Sequence, residues 1–493
     1  MPPRLDVQQE DRKNLIILLS FGLILRLYAF SQIYMITLDG ALQYIPVARL
    51  FYEGEYLQAL SQPQLPLYPF LISLLSHITG SLEVSGQLIS IVFSLFAVFP
   101  LYLIGKSLFG TRPAFWTAAL YIVNPLMLYS SVDVLKEGVV VFLFFSSVYC
   151  SVRFLQEGKP LWLIWTVIFA AVGALGRMSN LVVPLVLGLW LGYSGLRKML
   201  VDRKPVYRYC LIVFLVTGIV AAFVLPGILG WEFVIEKKPY LGISRLFQRW
   251  FSNDLPSLSR LGEGIFAIIG RFIEKACILP FLLALFGLGW RLKTKKLSAE
   301  EKYLALVMVV LFAIVFAMVL PILSSSERYQ LPNIFLFYLW AGFGFVKIGE
   351  WIQRKFERYP RLAAVIPAVI LLGVMLPFCL QPQRLNKIGR KEVGLWLREQ
   401  SLSSPLIMTN IPRLVYYAGG EYLPLPPQAL PESIVNEGER KGADYLIIEE
   451  KGRENADAFA SFEREEDLRL VRRHPYGDEG KVIYAYTLTG KSK

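Results

Sequence analysis

The stretch Leu65-Pro66-Leu67-Tyr68-Pro69-Phe70-Leu71-Ile72-Ser73-Leu74-Leu75-Ser76-His77-Ile78-Thr79-Gly80 decides how the chain is threaded. It is apolar, but short for a bilayer-crossing helix of about 20 residues, opens with two prolines and carries His77. Eleven further apolar stretches approach spanning length: about Leu15 to Ile36, Gln87 to Gly105, Pro113 to Ser131, Val134 to Val152, Leu161 to Gly176, Met178 to Leu196, Tyr209 to Leu229, Ala276 to Trp290, Tyr303 to Leu323, Gln330 to Val346 and Leu362 to Leu380. If Leu65 to Gly80 also spans, every later loop changes side.

Cytoplasmic loops collect Lys and Arg, and that bias chooses between the two threadings. With Leu65 to Gly80 kept out of the count, residues 1–14, 106–112, 153–160, 197–208, 291–302 and 347–361 share one side and hold 22 basic and 9 acidic residues. With it counted, the N-terminus is cut off from every other basic loop. The stretch is therefore read as a helix lying on or dipping into the outer surface. This places the N-terminus inside a cytoplasmic (inner) membrane, with two large loops, 37–86 and 231–275, outside.

Composition agrees. Of 493 residues 55% are hydrophobic and 18% charged, below the roughly 25% charged content of soluble proteins, and mean hydropathy is +0.49. Disorder, collagen and a disulfide scaffold are excluded, the last because Cys150, Cys210, Cys277 and Cys379 all lie in apolar runs. The net charge of +13 would suggest nucleic acid in a soluble protein. Here the excess sits in the cytoplasmic loops, so it records orientation and implies no nucleic-acid partner. The first apolar run is long enough to be an anchor rather than a cleaved signal.

After about residue 380 the pattern changes. Residues 381–493 hold 17 basic and 17 acidic residues and read as a small α/β domain outside the membrane. Glu392 to Gln400 has the period of an amphipathic helix, and Pro405 to Thr409, Ala443 to Ile448 and Lys481 to Leu488 read as strands. The fold class is thus a polytopic α-helical membrane protein of about eleven spans over 1–380, with an α/β domain over 381–493.

Charges at span ends are costly and are functional candidates by default. On the outer side these are Asp39, in Leu38-Asp39-Gly40-Ala41-Leu42-Gln43-Tyr44; Asp133, Lys136 and Glu137 in one tight turn; Arg177 between two spans; and Glu327-Arg328-Tyr329. Each also has a plainer role. Asp39 is placed to cap a helix starting at Gly40, Arg177 and Arg328 to anchor span ends, and Lys136 and Glu137 to pair with each other or with Asp133. Arg26, in the middle of the first span, reads as a buried partner for an acid. The chemistry they suit together is a reaction at a lipid-borne phosphate: a carboxylate takes the proton of an attacking hydroxyl, and cations hold the phosphate and stabilise its growing charge. There is no P-loop, Gly-x-Gly-x-x-Gly or Asp-x-Asp, and two histidines cannot make a His-rich metal site.

A cationic first span, an Asp just after it, a large first outer loop with the surface helix Gln64-Leu65-Pro66-Leu67-Tyr68, a second outer acid and a later Arg328-Tyr329-Gln330-Leu331-Pro332 resemble the C-type (GT-C) glycosyltransferase superfamily. The nearest likeness is to its protein mannosyltransferase and aminoarabinose transferase branch, the glycosyltransferase family 39-like membrane proteins. The resemblance covers about residues 10–380, and the tail looks like that of many bacterial members. It implies that Asp39 is the catalytic base, that Asp133 or Glu137 is the second-loop acid, and that Arg177 and Arg328 contact the carrier phosphate. The loop from Trp231 to Lys275 is implied to gate substrate entry. Gly40 stands where the family usually has a Glu after the Asp, so the two-acid form of the motif is broken.

The reading is a membrane glycosyltransferase that moves a sugar from a polyprenyl-phosphate donor to an acceptor hydroxyl on a protein, lipid or glycan. Asp39, Asp133 and Glu137 form its catalytic set, and Lys136, Arg177, Arg328, Tyr329 and Tyr44 its substrate-binding set. The sequence specifies no cofactor, and a divalent cation is left open. The alternatives are a transporter or lipid flippase, against which stands the lack of paired halves, and a glycan ligase or polymerase using a diphosphate-linked donor.

Overall fold

The computed structural model describes residues 9–199, 258–294, 297–319, 326–355, 360–400, 404–426, 431–450, 468–477 and 481–488. The expected span from Tyr209 to Leu229 and most of the loop from Trp231 lie outside them. The chain forms two compact units, one running up to Ala29 and over Val47–Leu380, the other made of Phe30–Pro46 and the chain from Gln381 onward.

The first unit is helical. Its helices are α1 (Gln9–Ser31), α2 (Ile45–Tyr52, begun in the second unit), α3 (Tyr56–Ser61), α4 (Leu67–Thr79), α5 (Leu82–Phe96), α6 (Val98–Phe109), α7 (Thr111–Ile122), α8 (Pro125–Val132), α9 (Glu137–Glu157), α10 (Pro160–Ala174), α11 (Val182–Met199), α12 (Leu258–Ala276), α13 (Ile278–Thr294), α14 (Ala299–Val319), α15 (Leu331–Lys355) and α16 (Pro360–Cys379). Among the described residues four helical runs, Gln9–Ser31, Leu82–Phe109, Glu137–Glu157 and Glu327–Lys355, are long and apolar enough to cross a membrane. Two bent pairs, α7 with α8 at 60° and α12 with α13 at 100°, make up to six. The helix α4 has 13 residues, about 20 Å at 1.5 Å per residue, against a hydrocarbon core of about 30 Å.

The outward faces remain apolar. Ile16, Ile24 and Leu27 on α1 and Val369, Ile370 and Phe378 on α16 are exposed, which suits surroundings of lipid rather than water. Inside, helices meet where a glycine lets backbones approach. A methyl group on Gly138 would stand 2.6 Å from the Ser90 carbonyl oxygen of α5, and one on Gly86 2.9 Å from Val134. These contacts fix the turn before α9. Glycine also stops α9, since Gly158 adopts a left-handed conformation at φ 67° and its N–H caps the Phe154 carbonyl at 2.8 Å.

Both bends follow from local sequence. Asn124 precedes Pro125 and accepts from the Met127 N–H at 3.0 Å, an N-cap with proline at the first helical position, so α7 stops and α8 restarts. The stretch read as one span from Pro113 to Ser131 is therefore broken. At the second bend Cys277 takes φ 61°, rare for a residue with a side chain. The part of the expected outer loop from Leu258 onward is the helix α12; its charges Glu263, Arg271, Glu274 and Lys275 interrupt the apolar run that would have marked a span.

The second unit holds a five-stranded sheet in the order β2-β1-β3-β5-β4, with β1 Leu406–Thr409, β2 Glu421–Pro424, β3 Tyr445–Glu450, β4 Leu468–Tyr476 and β5 Lys481–Leu488. The strand β1 pairs in parallel with β2 and β3, and β5 runs antiparallel to β3 and β4. One face of the sheet, with Ile407, Ile447, Ile483 and Ala485, packs on α17 (Ile388–Gln400) and α18 (Pro412–Ala418) through Val393, Leu397, Leu414 and Val415. The other, with Met408, Leu446, Ile448 and Tyr486, packs on Ile434 and Val435 of α19 (Pro431–Lys441). Central strands covered on both faces are continuous apolar runs, which is why β1, β3 and β5 are legible.

Candidate functional site

In the first unit, four of the sequence candidates, Glu137, Arg177, Arg328 and Tyr329, meet. Arg177 is in extended backbone at φ −158° between α10 and a 3-10 turn, Met178–Leu181, that leads into α11. Its Nη2 donates to Glu137 Oε1 at 2.7 Å, its Nη1 donates to the Arg328 carbonyl oxygen at 3.3 Å, and its guanidinium lies 4.9 Å from the Tyr329 ring centroid. Arg328 Nη1 stands 3.5 Å from Glu137 Oε2, while its Nε donates to Ser326 Oγ at 3.0 Å. Glu137 is 1% exposed and Arg177 7%. One buried carboxylate is thus shared by two guanidinium groups, and Lys136, at the N-cap of α9, adds a further cation next to it in the chain. As the first residue of α9, Glu137 also faces the positive end of the helix dipole.

Glu137 thus engages two arginines from other parts of the chain, partners that the plainer reading did not name. Asp133 closes α8 and is 1% exposed, and its Oδ1 accepts the Val134 N–H at 2.8 Å. The turn carrying Asp133 and Lys136 is held by Ser90, whose Oγ donates to the Leu135 carbonyl at 2.7 Å and is bonded to the Tyr68 hydroxyl of α4 at 2.8 Å. The start of α4 is itself tied to the Arg177 region, the Leu67 N–H donating to the Leu175 carbonyl at 3.1 Å. The apolar stretch whose reading decides the threading therefore buttresses both sides of the cluster.

Glu327 turns away from the arginines: its Oε2 pairs with Lys275 Nζ at 3.0 Å at the end of α12. Next to this, the two helix breaks are joined. Asn124 Nδ2 donates to the Lys275 carbonyl and to the Tyr338 hydroxyl, both at 2.9 Å, and that hydroxyl donates to the Ala276 carbonyl at 2.7 Å. Sequence reading did not single out Lys275 or Asn124, although the Asn-Pro pair is a helix-start signal.

Arg26 departs from expectation. Buried in α1, it donates from Nε to Ser94 Oγ at 2.7 Å and from Nη1 to the Gly22 carbonyl at 3.2 Å, with the Tyr121 ring centroid 6.0 Å away. Among the described residues it meets no carboxylate; hydroxyls, a carbonyl and a ring face take that place.

Asp39 and Tyr44 belong to the second unit. Asp39 does not cap the π-helical turn Gly40–Tyr44 that follows it; the Gly40 N–H goes instead to Thr37 Oγ1 at 3.1 Å. The Asp39 carboxylate is half-buried, with Gln43 Nε2 at 3.5 Å from Oδ1, and Tyr44 is buried. Single π-turns inside helices recur at functional sites. The segment before Asp39 is laced to the start of the tail. The Tyr34 N–H donates to the Gln383 carbonyl at 3.3 Å and the Gln383 N–H to the Gln32 carbonyl at 2.9 Å. Arg384 Nη1 donates to the Met35 carbonyl at 2.5 Å, and the Ile36 N–H donates to the Tyr417 hydroxyl at 2.8 Å. Arg384 and Tyr417 carried no signal in the sequence. No group of three or more His, Cys, Asp and Glu side chains among the described residues could hold a metal ion.

Over residues 61–222, a third of the chain, the sequence matches the family model of dolichyl-phosphate-mannose-protein mannosyltransferase. No curated relative matches it. Among solved structures, ArnT from Cupriavidus metallidurans bound to undecaprenyl phosphate is similar with a TM-score of 0.64 at 13% identity, over 95% of this chain and 97% of that one. AglB, an archaeal oligosaccharyltransferase from Archaeoglobus fulgidus in complex with an inhibitory peptide and a dolichol-phosphate, is similar with a TM-score of 0.57 at 12% identity, over 97% of this chain and 74% of that one. The chain has the C-type glycosyltransferase fold, as the resemblance implied, and is a multi-pass membrane protein.

Proposed function

We propose that the protein transfers a sugar from a polyprenyl-phosphate donor to an acceptor hydroxyl on the outer face of the cytoplasmic membrane. Residues 1–380 form the transferase domain, with the N-terminus inside, and 381–493 an outer domain. The observation that carries this reading is the corner where Arg177 and Arg328 share Glu137, because planar guanidinium groups fixed in place are suited to a phosphate. Glu137 then orders the arginines rather than touching the sugar. Likeness of fold to a structure that holds undecaprenyl phosphate supports the choice of carrier.

In this reading the acceptor hydroxyl attacks the anomeric carbon, the bond from that carbon to the phosphate oxygen breaks, and the proton passes to Asp39. Arg177, Arg328 and Lys136 stabilise the departing lipid phosphate, and one direct displacement inverts the anomeric carbon. Asp133 orders the turn that presents Lys136, Tyr329 holds the Arg177 guanidinium through its ring face, and Tyr44 lines the acceptor side.

The test is transfer of labelled sugar from undecaprenyl-phosphate-linked mannose or aminoarabinose by protein in nanodiscs, alongside binding of undecaprenyl phosphate itself. Transfer that is lost in Asp39→Asn, and binding that is lost when Arg177 and Arg328 are both replaced by Gln, are expected. Lipid translocation without transfer would assign a flippase instead, and use of a diphosphate-linked donor alone would assign a ligase.

A further inference from the structure

The turn that carries Arg328 is held from two sides. It is a single 3-10 turn, Glu327–Gln330, and the two charged residues at its start reach different neighbours. On one side the Arg328 carbonyl accepts from Arg177 Nη1, and the Arg328 guanidinium makes the looser of the two pairs with Glu137, 3.5 Å against 2.7 Å for Arg177. On the other side Glu327 Oε2 lies 3.0 Å from Lys275 Nζ at the end of α12. Ser326, at the N-cap, does not cap the turn through its side chain; its hydroxyl accepts from Arg328 Nε at 3.0 Å. A long side chain standing on one short turn takes its place from that turn, so whatever fixes Glu327 bears on where the Arg328 guanidinium stands.

Lys275 is fixed at its root. Its carbonyl accepts from Asn124 Nδ2 at 2.9 Å, the next carbonyl, of Ala276, accepts from the Tyr338 hydroxyl at 2.7 Å, and Cys277 then turns the chain with φ 61°. From this base the ammonium meets two carboxylates, Glu274 Oε1 at 2.8 Å and Glu327 Oε2. Glu274 is its neighbour in the chain and its side chain is 64% exposed, whereas Glu327 connects α12 to the turn before α15. An acid one residue from a phosphate-binding arginine would repel the phosphate. With the ammonium on it, Glu327 can serve as a tether.

We infer that Lys275 and Glu327 are positioning residues for Arg328: their ion pair fastens the 3-10 turn to the end of α12 and so holds the guanidinium where a lipid phosphate meets it. The pair also offsets the negative charge that Glu327 presents beside that phosphate. The inference rests on the reading of the corner of Arg177 and Arg328 as the phosphate site, but the placement of Arg328 can be measured with no ligand present.

The experiment has two readouts on the full-length protein in nanodiscs of neutral phosphatidylcholine: the rate at which phenylglyoxal modifies Arg328 without ligand, read by mass spectrometry, and the affinity for undecaprenyl phosphate. Glu327→Gln is decisive, because removing an acid beside an anion site tightens binding if the acid only repels. As a tether, its loss is expected to quicken modification of Arg328 and to weaken binding, each about three- to fivefold, the scale of a partly exposed ion pair, with the thermal midpoint unchanged. Lys275→Met should do the same, Lys275→Arg should recover most of both readouts, and Glu274→Gln should change neither. The double variant Lys275→Met/Glu327→Gln should bind no more weakly than either single one, since all three remove the same contact. Binding as tight as wild type or tighter in Glu327→Gln overturns the inference, and so does unchanged modification of Arg328. A double variant weaker than both single ones also overturns it and assigns the Lys275 ammonium to the phosphate itself. If modification of Arg328 responds as expected in protein that binds no undecaprenyl phosphate, the tether stands and the phosphate reading falls.

Discussion

Arg177 and Glu137, forty residues apart in the chain, are joined at 2.7 Å between Nη2 and Oε1. The pair fastens the entry to α11 to the first turn of α9, and both side chains are almost wholly out of solvent. Removing one partner of such a pair leaves a buried charge uncompensated, which costs about 3–5 kcal/mol. Glu137→Ala is therefore expected to lower the thermal midpoint of the detergent-solubilised protein by several degrees, and Glu137→Gln by less, since the amide still accepts from Arg177. Equal midpoints for wild type and Glu137→Ala would show that the corner does not hold the bundle together.

Arg328 is the more exposed of the two guanidinium groups that share Glu137, so it is the one a lipid phosphate would meet first. A charge-assisted hydrogen bond contributes about 1.5–3 kcal/mol, or roughly 10- to 100-fold in affinity. Arg328→Gln should weaken binding of undecaprenyl phosphate by that factor with little change in thermal midpoint. Scintillation proximity binding would decide it, and unaltered affinity would remove Arg328 from the phosphate site.

The Ile36 N–H, three residues before Asp39, donates to the Tyr417 hydroxyl. Tyr417→Phe removes the acceptor and keeps the ring, a loss of about 1 kcal/mol that should appear as a several-fold lower kcat at unchanged KM for the donor. Because Tyr417 acts through the backbone, its pH–rate profile should keep the shape of the wild type, whereas Asp39→Asn should give no measurable rate at any pH. A Tyr417→Phe enzyme with wild-type kcat would break the connection between the tail and the base.

Gly138 faces the Ser90 carbonyl so closely that even a methyl group would stand 2.6 Å from it. Gly138→Ala must push α5 and α9 apart, an overpacking cost of about 1–3 kcal/mol, and with them the turn that carries Asp133 and Lys136. The expected result is a lower thermal midpoint together with weaker undecaprenyl phosphate binding. A variant that binds normally would show that the turn can shift without harm to the site.

What could be read from the sequence and what could not divide along physical lines. Long apolar runs and basic loops are local signals, so the apolar helices and the candidacy of Glu137, Arg177 and Arg328 were legible. Their contact was not, because 151 residues separate Arg177 from Arg328 and nothing local marks which span ends touch. In the tail the central strands were legible from their apolar runs. The edge strands were missed: β4 carries Arg469, Arg472, Arg473 and His474 and contains a register shift, and charged, irregular edges guard a sheet against pairing at the expense of a strand-like pattern. The lacing of residues 32–36 to Gln383, Arg384 and Tyr417 rests mostly on backbone groups, which every residue possesses and no motif announces.

The amide of Asn124 ends one broken helix and grips the other. Since the same side chain bonds the Lys275 carbonyl and, through the Tyr338 hydroxyl, the Ala276 carbonyl, straightening either interruption would strip the other of its hydrogen bonds. The two bends make a single articulation, and a substrate that flexes the α12 side would be felt at the foot of α8, the helix that Asp133 closes.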